Sequence, residues 1–417
     1  MHSLMAAVLV VVLAAPQGAP PPVEQGKIDA AIKKGVDYLK GQAGSLKKMK
    51  HVDRDMQEDE LVLWTLVHAD VPETDPVFQK LLKEMLERTL EATYCVALQA
   101  MILEELNRVK YQWRIKMCAQ FLVDNQCANG QWSYGSPTLY ANETPSETEK
   151  NPVASGTEKR GGVREFSFGR GPKPEVKVKQ KVEKKKDGPG GGDNSNTQYA
   201  ALGMRACHDA GIILPEAVIE KATTWYRTCQ KASDGPAVKF DVKDTLDKPL
   251  AKGESGIMEV ISAEPQGWCY SQHEHKAYGS MTAGSVGGLA IWDYIKDNDS
   301  GKKKRSWKRD KDVHEGIAWL AKNFSVTYNP GPYEHGDGAE NSQHQYLYYL
   351  YALERAGMLY GTETMGTHWW YPEGAKVLLE KQAGGGNWGG VVDTCFAILF
   401  LKRATTPLTP TEGSKGR

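Results

Sequence analysis

The residues best placed to do chemistry in this chain are few and scattered. Asp393 stands near the start of VVDTCFAILFL, an otherwise apolar run. An aspartate there either caps the helix, accepting hydrogen bonds from its free amides, or serves as an acid whose environment shifts its proton affinity. His273, Glu274 and His275 lie in SQHEHKAYGS, where alternating histidines either chelate a metal or stay solvated or hydrogen-bonded. Nucleophile elbows of the Gly-x-Ser-x-Gly type, phosphate loops and a Gly-Cys-Gly-Glu-Gln thioester are absent. Aromatic residues are plentiful, with Trp64, Tyr94, Tyr199, Trp292, Tyr346 and Tyr349 as candidates to line a ligand cavity, alongside Tyr348 and Phe396. Such rings enclose apolar chains and stabilise a carbocation through their quadrupoles, and core packing accounts for them equally well.

The elements that carry these residues repeat. AQFLVDNQCANGQW and VLLEKQAGGGNW share one spacing from Leu to Gln to Gly to Trp, giving Gln126 with Trp132 and Gln382 with Trp388. A third copy has Gln230, with its Trp268 delayed by an insertion. Gln at a helix end is expected to bond the orphan carbonyls there and the amides opening the next helix, while the indole packs over the junction. These six residues are therefore read as structural ties. Each such helix keeps a polar face and is followed by one that is apolar nearly all round, which must be enclosed. The alternation gives six pairs: 27–42 with 58–70, 75–90 with 92–107, 119 onward with 196–210, 215–230 with 279–295, 312–324 with 341–357, and 372–382 with 391–404. The predicted fold is all-α, a closed barrel of six helical hairpins with inner and outer helices, spanning 27–404.

Residues 141–192 interrupt the third pair with a polar, Lys- and Gly-rich stretch that reads as a disordered insertion, and two smaller polar excursions fall at 236–265 and 296–311. The tail 405–417 reads as flexible. Residues 4–15, LMAAVLVVVLAA, are too short for a membrane span and resemble a secretory signal within 1–19, although only His2 precedes the run. Export to the periplasm, cell envelope or exterior is expected, with an uncleaved N-terminal membrane anchor as the alternative. A formal net charge of zero over 417 residues removes the general argument for nucleic acid as a partner. The seven cysteines do not read as a disulfide framework, Cys229 with Cys269 being the one pairing worth considering.

The Gln-Trp repeats, each followed by a Thr-x2-Ala-x-Leu type helix, resemble those of squalene and oxidosqualene cyclases, and the alternation resembles the β subunits of protein prenyltransferases. The resemblance implies an (α/α)6 toroid binding an apolar, isoprenoid-like or polymeric ligand in a central cavity, with terpenoid cyclase-like chemistry. The Asp-x-Asp-Asp acid cluster of the cyclases is missing, which leaves Asp393 as the acid candidate. Prenyltransferases hold zinc with an Asp-x-Cys pair and a later His. Asp393 and Cys395 match the pair in form, and His344, on the preceding inner helix, is the third candidate ligand, although the order is reversed. No other cofactor is implied. A zinc-dependent prenyltransferase-like enzyme and a non-catalytic cell-envelope scaffold stand as alternatives, the scaffold marked by a cavity plugged with large side chains.

Overall fold

The computed structural model describes residues 20–46, 58–143, 155–157, 173–243, 258–301, 305–332, 343 and 345–408. Among them are twelve α-helices: α1 (Gln25–Gln42), α2 (Glu58–His68), α3 (Pro76–Glu87), α4 (Thr93–Asn107), α5 (Gln112–Asp124), α6 (Asn194–Asp209), α7 (Glu216–Cys229), α8 (Gly279–Asp299), α9 (Lys311–Lys322), α10 (Tyr346–Tyr360), α11 (Trp370–Lys381) and α12 (Val391–Leu401). The signal-like residues 1–19 lie outside the described residues. No helix among the described residues is long and apolar enough to cross a membrane.

The even-numbered helices are the enclosed ones. Every residue of α2 is buried, as is α4 from Thr93 to Glu105 and α12 from Thr394 to Leu401. By contrast α3 buries only Phe78, Leu81 and Met85, a single stripe at helical spacing. Contacts follow chain order: α2 packs on α4, α4 on α6, α6 on α8, α8 on α10, α10 on α12, and α12 on α2. Odd helices sit in the seams, as α5 does against α4 and α6, while α1 packs on α11 and α12 at the far end of the chain.

The three Gln-Trp joints share one hydrogen-bond pattern. Each indole Nε1 donates to the carbonyl four residues before the Gln: Trp132 to Leu122 at 2.7 Å, Trp268 to Tyr226 at 2.8 Å and Trp388 to Leu378 at 2.7 Å. Each Trp amide donates to a Thr hydroxyl of the following even helix: Thr197, Thr282 and Thr394. Each Gln Nε2 splits its two protons between a carbonyl of its own loop and one in the next odd helix. For the latter, Gln126 reaches Val218 (2.8 Å), Gln230 reaches Asp312 (3.0 Å) and Gln382 reaches Ala31 (2.9 Å). The next helix is thus gripped through carbonyl oxygens rather than the expected amides, because an NH₂ donates and a helical carbonyl keeps a second lone pair.

Three departures from the sequence reading matter. Residues 173–192, read as part of a disordered insertion, are laid across α5 and tied down. Lys184 Nζ donates to Val123 and Gln126 carbonyls at 3.0 and 3.1 Å, closing the C-terminus of α5, and the Lys185 amide donates to Asp124 at 2.7 Å. Val182 is buried, and β3 (Gln180–Lys181) pairs in parallel with β4 (Ile212–Ile213). Upstream, β1 (Ser155–Thr157) pairs antiparallel with β2 (Pro174–Glu175). The 236–265 excursion contains an antiparallel hairpin, β5 (Val238–Lys243) with β6 (Met258–Ala263), which buries Phe240 and Val242 against α9. The first part of the tail is also docked: Arg205 donates to Thr406 and Pro407 carbonyls, and Glu354 accepts from the Thr405 amide and hydroxyl. The cysteines are free, Cys229 and Cys269 included.

Candidate functional site

Side chains from the even helices meet in the middle of the molecule. In the first turns, the hydroxyls of Tyr94 (α4) and Ser195 (α6) are hydrogen-bonded, and Ser195 Oγ lies 2.8 Å from Tyr348 Oη of α10. Gln198 Nε2 donates to the same Tyr348 oxygen at 2.6 Å, and its Oε1 accepts from Arg355 Nη2 at 2.7 Å. One turn deeper, Trp64 Nε1 of α2 donates to Tyr351 Oη of α10 at 3.1 Å, and Phe396 of α12 packs on both Tyr348 and Tyr351. Residues at equal depth touch, so these helices run in the same direction. Contacts such as Ser195 to Tyr348 and Trp64 to Tyr351 join helices that are not neighbours in packing order, and therefore occupy the space between them.

Arg355 is the oddest member of this cluster. It is 2% exposed, and no carboxylate forms an ion pair with it among the described residues. Its guanidinium instead lies 4.2 Å from the ring centre of Tyr351 and 5.3 Å from that of Tyr199, where the ring faces offset part of the desolvation cost. Gly284 of α8 is required here, since a Cβ would fall 2.3 Å from Gln198 Oε1.

The aromatic candidates are distributed as follows. Trp64, Tyr94 and Tyr199 belong to the central cluster. Trp292 stacks on Trp132 at 6.0 Å, under a Gln-Trp joint, and Tyr349 is fully buried with its hydroxyl on the Ser325 carbonyl. Tyr346 faces a pocket. Ser195, Gln198, Tyr351 and Arg355 escaped the sequence reading: helical periodicity says that a position is inward, but not which polar groups will find one another there.

The pocket has a volume of about 460 Å³ and is walled by Gln345 and Tyr346 at the start of α10, Leu378 and Lys381 at the end of α11, and Val392 and Asp393 at the start of α12. Asp393 is half-buried, and burial raises its carboxyl above the usual range against the opposing pull of the Gly390 amide. Lys381 Nζ sits 4.4 Å from the centre of the Tyr346 ring. Gln345 takes a left-handed backbone conformation, φ 56°, a strained choice for a residue with a Cβ.

Cys395 does not share this pocket with Asp393. Residues two apart on a helix point to different sides, and Cys395 is fully buried beside Thr65, its thiol pushed up to about 12 by burial. His344 lies outside the described residues. The described pair does not fit a zinc centre, and no cluster of three or more His, Cys, Asp or Glu able to hold a metal occurs among the described residues. The SQHEHK histidines are likewise apart from any such group: His273 is exposed beside Gln272, while Glu274 turns inward to accept the Tyr270 amide at 2.6 Å. Comparison with known proteins adds no identity: no family model matches this chain, and no curated protein matches it.

Proposed function

We propose that the six hairpins close into an (α/α)6 toroid, even helices inside, and that the protein is an exported binding or scaffold module rather than a terpenoid cyclase. In this reading the centre is filled by side chains and recognition takes place at the pocket beside Asp393. One observation carries it: the Ser195, Tyr348, Gln198 and Arg355 chain spans helices that are not packed on each other, leaving the interior to side chains instead of an isoprenoid. The order of packing, in which α12 meets α2, supports the closed form. The test is incubation of purified protein with squalene and with lipid extract, followed by product analysis. No cyclised or isomerised product is expected, and wild type and Asp393→Asn should leave identical extracts.

Acid chemistry at Asp393 is the second reading, favoured by the burial that raises its carboxyl. A product formed by wild type and lost in Asp393→Asn establishes it and overturns the first. Export is supported by the apolar run at 4–15 and is tested by N-terminal sequencing of protein recovered from outside the cytoplasm.

A further inference from the structure

The pocket beside Asp393 is lined by side chains of opposite charge, and neither forms an ion pair among the described residues. Among the described residues Asp393 forms no ion pair, and the Lys381 ammonium meets only the Tyr346 ring and, at 3.5 Å, the Thr327 carbonyl. The start of α10 opens onto this pocket with no side-chain cap, whereas at the start of α12 the Asp393 carboxyl takes the Gly390 amide. The dipole at the start of α10 favours an anion, as Lys381 does. The Asp393 carboxylate, in the first turn of α12, favours a cation. Between the charged groups the walls are ring and aliphatic surface from Tyr346, Leu378 and Val392. The volume of about 460 Å³ falls within the range that encloses small ligands.

We infer that this pocket binds a small zwitterion of the amino-acid class, a free amino acid or short peptide, with its carboxylate toward Lys381 and the start of α10 and its ammonium on Asp393. The inference rests on the reading that recognition occurs at this pocket and not in the interior. No bond is made or broken. Specificity comes from the requirement for both charges on one molecule.

The test is calorimetric titration of the full chain with L-alanine, L-leucine and L-alanyl-L-alanine, each also as its N-acetyl and its C-amide form. The zwitterions are expected to bind, and each blocking group should weaken binding by roughly tenfold or more, the effect of one lost charge contact. In Asp393→Asn the N-acetyl penalty should vanish while the amide penalty stays. In Lys381→Met the reverse is expected. Both side chains are at least partly exposed, and circular dichroism checks that the variants fold. Blocked forms that bind as well as the zwitterions overturn the inference, as does the absence of binding by all of them up to about 10 mM, beyond the usual range of specific affinity. Binding that survives both pocket substitutions but is lost in Arg355→Met places the ligand in the interior, overturning the inference together with the reading beneath it.

Discussion

Gln382 Nε2 donates to the Ala31 carbonyl at 2.9 Å, joining the last Gln-Trp joint to the first helix across 351 positions of sequence. The same amide donates to the Gly386 carbonyl at 2.8 Å. Gln126 makes the equivalent link to Val218 at 2.8 Å between helices far closer in the chain. Local chemistry that is identical at both joints thus closes contacts of very different sequence separation.

Gln382→Ala removes the donor to the Ala31 carbonyl, which lies within α1, and the donor to the buried Gly386 carbonyl, so the expected loss is about 1–3 kcal/mol, two ordinary hydrogen bonds. Gln126→Ala should cost a similar amount, and the two losses should add because the joints share no partners. Urea unfolding of the single and double variants measures this. An unchanged midpoint for Gln382→Ala would mean that the joint is incidental.

Tyr348→Phe deletes the oxygen shared by Ser195 and Gln198 in a buried setting. The Gln198 amide then lacks its acceptor, and a loss of about 1–3 kcal/mol is expected. Arg355→Met removes a buried cation that pairs with no carboxylate among the described residues, which offsets the donor lost to Gln198 Oε1 and the ring contacts, so its cost should not exceed that of Tyr348→Phe. Thermal unfolding distinguishes the two, and strong destabilisation by Arg355→Met would indicate that the charge itself holds the interior together.

His208 connects the ends of α6 and α8. Burial alone would lower its proton affinity, but hydrogen bonds and the charges of Asp209 and Asp299 outweigh it and raise the pKa to about 9. A raised histidine contributes stability that is complete below its ordinary value near 6.5 and is lost as pH rises through 9. Unfolding free energy measured from pH 6 to 10 should fall across that window by up to a few kcal/mol in wild type, and less steeply in His208→Gln. Parallel curves for the two proteins would remove His208 as the cause.

Asp293 gives the same pH trend from an acid that burial keeps neutral. Burial first, and then the neighbouring Asp310 charge, push its carboxyl up to about 7, despite Lys296 and Arg227 nearby. An acid raised in the folded state favours folding below its ordinary value near 4 and loses that contribution as pH rises through 7. Asp293→Asn should therefore gain more stability relative to wild type at pH 8 than at pH 5, while Arg227 keeps Asp310 and Asp312 as partners. Equal effects at the two pH values would show that its proton plays no part.

The helical content and the enclosed character of α2, α4 and α12 were legible from hydropathy, because a helix without a polar face has only one stable placement. The Gln-Trp positions were legible from their repetition, though not the Thr hydroxyls that receive the Trp amides. The strap across α5 was hidden by composition. A run such as KPEVKVKQKVEKKK reads as solvated, yet Lys184 reaches helix-end carbonyls and the Lys173 ammonium binds Glu104 and Glu105. Lysine identity alone does not show whether the amine ends in water or on a carbonyl. Residue type picks out Asp393 and Tyr346, whereas nothing in VLLEKQ singles out Lys381. Its proximity to them arises from packing between α10, α11 and α12, which no local pattern records.

Because α1 rests on α11 and α12 as firmly as a neighbour in sequence would, the gap between chain start and chain end is no weaker a seam than the loops elsewhere. The molecule should consequently tolerate relocation of its termini: joining the ends with a flexible linker and opening the backbone at the polar turn near Gly301 should return a permuted protein with the same architecture, folded from a different starting hairpin.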